Sequence, residues 1–243
     1  MNTKLEKSIY SLFASQLYDD VVFKFKRNVL KKQMNVPWMR YREIEFIKNL
    51  IINLNPEISL EWGAGSGTDF FTDFISKDSK WVSVEHNKEW ADTVTERIKK
   101  PNVSIVFQGP SHEPTPGIYY GLVDYRINDG TFEDFKDYIE YPSNHAPYDL
   151  ILIDGRARTE CLKASINLLS ENGIVVLHDA NRVQYHEGFK HYKQGVLLTD
   201  QRESYGGLWI GTNSEIPLSE IIDVETYSRL WNLYSEFGKF ITV

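Results

Sequence analysis

Apolar residues in the early part of the chain recur at helical spacing. The spacing predicts a helix from about residue 8 to residue 30, with an apolar stripe made of Leu12, Phe13, Leu17 and Val21. Pro37 interrupts this pattern, and a second helix is predicted from residue 41 to residue 54, with Ile44, Ile47, Ile51 and Ile52 facing inward. Asn55 and Pro56 end that helix, because proline lacks the backbone N–H that a helix needs.

From residue 58 onward, short apolar runs alternate with amphipathic segments. Strands are predicted at residues 58–61, 81–85, 103–108, 148–154 and 173–177, and helices at residues 68–76, 88–100 and 159–170. Gly173 follows the last of these helices, where a left-handed cap is expected. This alternation is typical of a parallel sheet with helices on both faces.

Two short apolar runs near the C-terminus, 196–198 and 208–210, predict an antiparallel hairpin. The expected fold class is α/β, with a Rossmann-like, mostly parallel sheet, an antiparallel C-terminal hairpin and an N-terminal helical extension. A last helix is predicted at residues 227–237. Its apolar side chains could pack on the core or pair two subunits in a homodimer, and core packing is the simpler interpretation.

The chain divides into a helical extension, residues 1–34, and one domain, residues 35–243. Within the domain, residues 109–147 form an insertion that is too long for an ordinary connection between two strands. Insertions at the carboxyl edge of a sheet tend to cover the ligand crevice, so we expect this one to cover the substrate. The basic segment 21–32 could bind an acidic substrate, but a solvated helix face is the simpler interpretation.

Length and charge exclude several classes of protein. The chain has 243 residues, of which 42% are hydrophobic and 25% are charged, as in ordinary globular proteins. Its formal net charge of -7 argues against a nucleic-acid-binding protein. The single cysteine, Cys161, excludes an intrachain disulfide bond and a cysteine-rich zinc site. The sequence predicts neither a signal peptide nor a membrane span, so a cytoplasmic location is expected.

The most informative segment is Glu61-Trp62-Gly63-Ala64-Gly65-Ser66-Gly67, where an apolar strand ends in an acid and alternating glycines. Glycine permits the turn and lets a ligand approach the backbone closely. Glu85 ends the next predicted strand, and a carboxylate at that place grips the ribose hydroxyls of a nucleotide. The sequence therefore predicts a cofactor that contains adenosine.

The glycine spacing and Glu61 distinguish between adenosine cofactors. Dinucleotide sites favour G-x-G-x-x-G, whereas the spacing here is G-x-G-x-G. Glu61 would repel a pyrophosphate but attract a cofactor with an ammonium group, such as S-adenosylmethionine (SAM). The predicted cofactor-binding residues are Glu61, Gly63, Ala64, Gly65, Ser66, Gly67, Glu85, His86 and Asp154.

Ionisable residues directly follow the fourth and fifth predicted strands, at the edge where ligands bind to a parallel sheet. Asp154, Asp179 and Asn181 could bind Mg²⁺ or Mn²⁺, which would orient an acceptor hydroxyl and lower its pKa. Alternatively, His178 or an adjacent carboxylate could act as general base. The predicted catalytic residues are therefore Asp154, His178 and Asp179. Helix capping is the other interpretation of the two aspartates.

Further polar residues near these strand ends are candidates for substrate binding. Arg156 and Arg182 could hold a carboxylate or phosphate, because a guanidinium group matches the geometry of both. Tyr185 and His186 follow closely in sequence and could help. A small-molecule or glycan substrate is expected, and surface salt bridging is the other interpretation of the arginines.

The segment 61–67 resembles motif I of class I SAM-dependent methyltransferases, and Glu85 resembles their ribose-binding acid. Asp154-Gly155 and the segment 178–182 are similar to the DG and HD-x-[DN]-R motifs of polysaccharide-biosynthesis methyltransferases, such as glucuronoxylan 4-O-methyltransferases, and to bacterial sugar O-methyltransferases. The resemblance covers residues 58–211 and implies a seven-stranded sheet and methyl transfer to a sugar hydroxyl, and it is compatible with a divalent metal. Ala180 departs from the catechol-type metal pattern, in which the aspartate and asparagine are adjacent.

Other functions stay open at this point. A metal-independent N- or O-methyltransferase would use His178 as base. An NAD-dependent oxidoreductase is disfavoured by the glycine spacing and by Glu61. A cofactor-binding protein without catalysis is disfavoured by the polar strand ends.

Overall fold

The computed structural model describes residues 2–28, 36–112, 129–199 and 206–241. The strands are β1 (Ile58–Trp62), β2 (Lys80–Glu85), β3 (Val103–Phe107), β4 (Tyr148–Ile153), β5 (Leu169–His178), β6 (Gln194–Leu198) and β7 (Leu208–Thr212). Across these residues they form one sheet in the order β3-β2-β1-β4-β5-β7-β6. Strands β1 to β5 pair in parallel, whereas β7 is antiparallel to β5 and β6. The α/β fold, with its antiparallel C-terminal hairpin, is confirmed.

Helices cover both faces of the sheet. They are α1 (Asn2–Asn28), α2 (Tyr41–Leu54), α3 (Ser66–Phe71), α4 (Lys88–Arg97), α5 (Lys136–Glu140), α6 (Arg158–Ser165), α7 (His186–Phe189), α8 (Leu218–Ile221) and α9 (Val224–Ile241). Helix α2 matches its predicted bounds. Asn55 caps its C-terminus: the φ of Asn55, 44°, is left-handed, and its N–H donates to Ile51 O.

Successive residues of the central strands contribute to two different apolar cores. Leu150 and Leu152 belong to the core that contains α2, whereas Ile151 and Ile153 belong to the core that contains α6. Each of these four side chains is at most 1% exposed. Burial on both faces explains why β4 reads as a continuous apolar run rather than an alternating one.

The C-terminal helix α9 packs on α2, as the simpler interpretation of its sequence expected. Trp231 is 2% exposed, and its ring centroid lies 6.3 Å from that of Phe46. The Arg42 guanidinium lies 4.7 Å from the centroid of the Tyr234 ring. Helix α2 is therefore held between the sheet and α9. Pairing of two subunits remains a prediction.

Several local predictions were wrong, among them the helix predicted at residues 159–170, which ends at Ser165. Leu12 and Val21 of α1 are 41% and 58% exposed, because this helix has apolar residues on two sides and Ile9 and Phe23 are the buried ones. Gly173 lies inside β5, which begins at Leu169, instead of capping a helix. A Cβ at Gly173 would lie 2.7 Å from Tyr148 O, so glycine is needed there for close packing of β4 and β5.

The predicted domain boundaries stay predictions. Residues 29–35, at the end of the extension, and residues 113–128, within the insertion, lie outside the described residues. The rest of the insertion contains α5. None of the helices in the described ranges has the length and apolar character needed to cross a membrane.

Candidate active site

The loop between β1 and α3 lies at the carboxyl edge of the sheet, where the ends of β1 and β4 meet. Gly63 has a φ of 102°, and a Cβ added to it would lie 2.7 Å from Gly155 Cα. Gly63 N donates to Val84 O at 2.8 Å, and Asp154 N donates to Trp62 O at 2.9 Å. Both the left-handed backbone and the contact with Gly155 require glycine at position 63.

The Glu61 carboxylate lies beneath this loop and is 1% exposed. Its Oε2 accepts hydrogen bonds from Thr68 Oγ1 at 2.6 Å, Trp81 Nε1 at 3.0 Å and Ser83 Oγ at 2.5 Å. Thr68 Oγ1 in turn accepts a bond from Gly65 N at 2.8 Å. Burial raises the pKa of Glu61 to about 7, although the three hydrogen bonds oppose this. Glu61 therefore joins β1, β2 and α3 under the glycine loop.

Glu85 ends β2 as predicted and is 3% exposed. Its Oε1 accepts a hydrogen bond from Asn87 N at 2.9 Å and lies 2.8 Å from His86 Nδ1. The His86 ring meets the rings of Phe135 and Tyr138 edge-on, at centroid distances of 5.8 and 6.3 Å. His86 thus lies between the predicted ribose acid and aromatic residues of the insertion.

Trp90, at the start of α4, contacts the glycine loop and was not predicted. Its indole Nε1 donates to Ala64 O at 2.7 Å, and its ring lies 3.8 Å from the position that a Cβ of Gly65 would take. Its side chain stays 42% exposed. The only signal in the sequence is that Trp90 follows soon after Glu85, which does not show that the indole reaches the loop.

His178, at the end of β5, lies between two carboxylates. Its Nδ1 is 2.7 Å from Asp154 Oδ1, and its Nε2 is 3.4 Å from Glu43 Oε2. Burial alone would lower the pKa of His178, but the charge of Asp154 and hydrogen bonds to Asp154 and Glu43 raise it to about 10. Burial opposes ionisation of Glu43 too, yet its contacts with His178 lower its pKa. The pair is charged at neutral pH.

Arg158 joins the ends of β4 and β5. It donates to His178 O at 2.8 Å and to Asp179 Oδ2 at 3.3 Å, and it lies 3.1 Å from Asp154 Oδ1. Arg182 Nη2 donates to the same Asp179 oxygen at 2.5 Å. Burial would raise the pKa of Asp179, but the charges of His178, Arg158 and Arg182 hold it well below its usual range.

The predicted substrate residues lie around this cluster. Tyr185 OH accepts from Arg182 at 3.2 Å and donates to Asp129 Oδ2 at 3.0 Å. Burial and the charge of Arg158 lower the pKa of Arg156, although Asp129 opposes this. His186 Nε2 lies 2.9 Å from Ala180 O. Asp129 was not predicted, because it lies far along the chain from both aspartate motifs.

The predicted metal ligands Asp154, Asp179 and Asn181 do not fit a divalent cation. Arg158 contacts both aspartates, and Thr199 Oγ1 donates to Asn181 Oδ1. A hard cation needs several uncommitted oxygen ligands, and here guanidinium groups already neutralise the carboxylates. Among the described residues, no group of three or more His, Cys, Asp or Glu side chains could hold a metal ion.

Known methyltransferases share this fold. The family model for protein-L-isoaspartate(D-aspartate) O-methyltransferase (PCMT) matches residues 3–206. A comparison with curated proteins found no match. Three solved structures give the same fold at low sequence identity.

The O-methyltransferase from Bacillus cereus in complex with S-adenosylhomocysteine (SAH) has a TM-score of 0.55 and 13% identity. The match covers 82% of this chain and 99% of that one. The methyltransferase-like protein from Silicibacter pomeroyi has a TM-score of 0.54 and 18% identity, with coverages of 80% and 99%. The O-methyltransferase TomG from Streptomyces achromogenes, involved in tomaymycin synthesis and solved with SAM, has a TM-score of 0.51 and 13% identity, with coverages of 81% and 96%. Because the family model matches most of its length, the chain belongs to the PCMT family and is a class I SAM-dependent methyltransferase.

Proposed function

We propose that the protein transfers the methyl group of SAM to an oxygen atom of a small acidic molecule, with acidic sugars as the first candidates. The observation that carries this proposal is the cluster of charged side chains at the ends of β4 and β5. The cluster contains four cations, Arg156, Arg158, Arg182 and His178, and four carboxylates, Glu43, Asp129, Asp154 and Asp179.

The charges at this site favour an anionic acceptor. The cluster alone is close to neutral. SAM has two positive groups, a sulfonium and an ammonium, and one carboxylate, so it carries one net positive charge. Glu85 adds one carboxylate at the ribose end of the cofactor, so the site with SAM bound is close to neutral overall. The sulfonium beside the acceptor would still favour an anionic substrate in a partly desolvated site. Arg156 is the proposed anchor, since burial and Arg158 both disfavour its charge and a carboxylate would relieve this.

The cofactor would be held by the glycine loop and the end of β2. We assign Gly63 to Gly67 to the amino acid part of SAM and Glu85 to the ribose hydroxyls. Because Glu61 is buried under hydrogen bonds from Thr68, Trp81 and Ser83, we assign it to holding the loop in shape. His86 would line the adenosine side of the site.

We propose that Asp154 takes the acceptor's proton when the acceptor is a hydroxyl. Its Oδ1 is occupied by His178 and Arg158, whereas no hydrogen bond to Oδ2 is found among the described residues. The acceptor oxygen attacks the methyl carbon, the carbon–sulfur bond breaks, and its electron pair stays on the sulfur of S-adenosylhomocysteine. The hydroxyl proton passes to Asp154 Oδ2. A pKa of about 10 makes His178 an imidazolium at neutral pH and an unsuitable base.

We propose that this reaction proceeds without a divalent metal. The two aspartates that could hold one are paired with arginines, and further positive charge would be repelled by His178 and Arg158. Most of the rate would come from alignment of the oxygen with an already activated methyl group.

An acceptor panel tests the proposal. Methyl transfer would be measured by release of S-adenosylhomocysteine, with glucuronate and galacturonate compared with glucose, galactose and an isoaspartyl peptide. We expect transfer to the acidic sugars and the same rate in excess EDTA. In Arg156→Gln, KM for the acid should rise about tenfold, since one charged hydrogen-bonded contact is lost, with little change in SAH affinity.

The matched control is Arg229→Gln, because Arg229 lies on α9 and pairs only weakly with Glu225, at 3.8 Å. Transfer only to neutral sugars would overturn the acidic acceptor. Transfer only to the isoaspartyl peptide, the acceptor that the family description names, would show that the acceptor is a protein carboxylate and not an acidic sugar. Loss of turnover in EDTA would show that the reaction needs a divalent metal.

A further inference from the structure

Glu43 lies in the first turn of α2, far in sequence from every predicted motif, yet its carboxylate reaches the active site. It is 1% exposed and accepts hydrogen bonds from Arg40 N at 2.8 Å and Gly207 N at 2.7 Å. Capping of α2 accounts for the contact with Arg40 alone. An exposed carboxylate would cap equally well, so its burial beside His178 needs another reason.

His178 is fixed at both ring nitrogens by groups from two different elements. Asp154 at the end of β4 contacts Nδ1 at 2.7 Å, and Glu43 on α2 contacts Nε2 at 3.4 Å. A rotation of the ring would break both contacts. The ring in turn occupies Asp154 Oδ1, so the orientation of the Asp154 carboxyl group depends on His178.

Two consecutive backbone groups connect Glu43 to the rest of the cluster. Gly206 N donates to Asp179 Oδ1 at 2.8 Å, and Gly207 N donates to Glu43 Oε1. Both glycines have positive φ, 83° and 79°, which lets adjacent N–H groups reach two carboxylates. Glu43 thus bonds to the residues that precede β7 as well as to His178.

We propose that Glu43 is a positioning residue for methyl transfer, which acts through His178 to orient the Asp154 carboxyl group toward the acceptor oxygen. The proposal rests on the proposed function, because it takes Asp154 as the proton acceptor. Glu43 touches neither cofactor nor acceptor in this role. It sets the geometry of a residue that does.

A double-mutant cycle tests this route. Glu43→Gln should lower kcat about tenfold or more while KM for SAM and SAH affinity stay within about twofold, because misorientation affects the reacting atoms and not the cofactor. In the His178→Gln background, the same change should have little further effect on kcat. Glu45→Gln is the matched control, because Glu45 lies on α2 but pairs with Lys48 at 2.6 Å.

If Glu43→Gln lowered kcat by the same factor in the wild-type and His178→Gln backgrounds, the proposal would be overturned, since Glu43 would then have a purely structural role through Gly207. Unchanged kcat in Glu43→Gln would overturn it too. Should that variant fail to fold, NMR of the wild type at neutral pH tests the proposal instead. We expect hydrogen-bonded protons on both ring nitrogens of His178. Ring N–H protons that exchange freely with water would contradict the proposal. The NMR result and SAH affinity need no acceptor, so failure of the positioning role is distinguishable from failure of the proposed function.

Discussion

At the scale of single residues, burial changes what a motif residue does. Glu61 belongs to the glycine motif that resembles a SAM site, yet its carboxylate is 1% exposed and bonded to Thr68, Trp81 and Ser83. The sequence indicates that an acid is needed at this position. It does not indicate whether the acid faces a ligand or supports the loop, because the partners come from the next strand and helix.

The buried acid predicts a pH-dependent stability. Because burial raises the pKa of Glu61 from 4.5 to about 7, its favourable contribution is complete below pH 4.5 and is lost as the pH rises through 7. We expect the unfolding free energy of the wild type to fall by about 3 kcal/mol more than that of Glu61→Gln between pH 5 and 8, because only the wild type must ionise a buried carboxyl group. Urea unfolding at both pH values would measure it. His178 loses its own contribution between pH 6.5 and about 10 in both proteins, so only their difference counts.

The exposed Glu57→Gln variant is a suitable control for that comparison. If wild type and Glu61→Gln lost the same unfolding free energy between the two pH values, Glu61 would already be ionised at pH 5. Its three hydrogen bonds would then outweigh its burial.

At the scale of elements, two helices bring unpredicted residues to the strand ends. Helix α2 brings Glu43, and α4 brings Trp90 against Ala64. The bounds of α2 follow from apolar spacing, which also correctly predicts Ile44, Ile47 and Ile51 in the core. The same spacing wrongly predicts Ile52 as buried, whereas it is 51% exposed. Periodicity gives the buried face of a helix, but it does not give the partner of a polar residue at its first turn.

Trp90 gives a test of the proposed role of the glycine loop in cofactor binding. Trp90→Phe keeps a ring beside Gly65 but removes the N–H that bonds to Ala64 O. We expect SAH affinity to fall about fivefold, as for the loss of one neutral hydrogen bond, with little change in unfolding free energy. Isothermal titration calorimetry would measure it. Trp38→Phe, at a side chain that is 93% exposed, should bind SAH normally; equal affinities for all three proteins would exclude a role for the indole N–H.

At the scale of the whole molecule, the sheet was predictable and the charged cluster was only partly so. Buried strands and their glycine turns leave local patterns, which explains the agreement at β1, β2 and β4. The contact between Glu43 and Gly207 joins residues 164 positions apart, and no local pattern indicates such a pairing. The pairing of Arg158 with both predicted metal-ligating aspartates was missed for the same reason, and the metal itself stays a prediction.

The packing of α9 on α2 predicts that a distant core substitution affects turnover. Trp231→Ala should destabilise the protein by about 3 to 5 kcal/mol, because the side chain is 2% exposed and leaves a large cavity. Urea unfolding would measure this loss. Since α2 carries Glu43, we also expect kcat to fall at temperatures where the variant is still folded. Normal kcat in the folded variant would show that α2 keeps its position without Trp231, and Trp38→Ala should match wild type throughout.

The contact between Gly63 and Gly155 has a consequence for redesign of the enzyme. Each backbone fills the space that the other's Cβ would need, and the Tyr138 hydroxyl occupies the remaining room beside Gly155. Neither position can be diversified alone in a mutant library without displacing the other. New acceptor preferences are therefore better sought at Arg156, the proposed substrate anchor, which can be exchanged while the two turns are left intact.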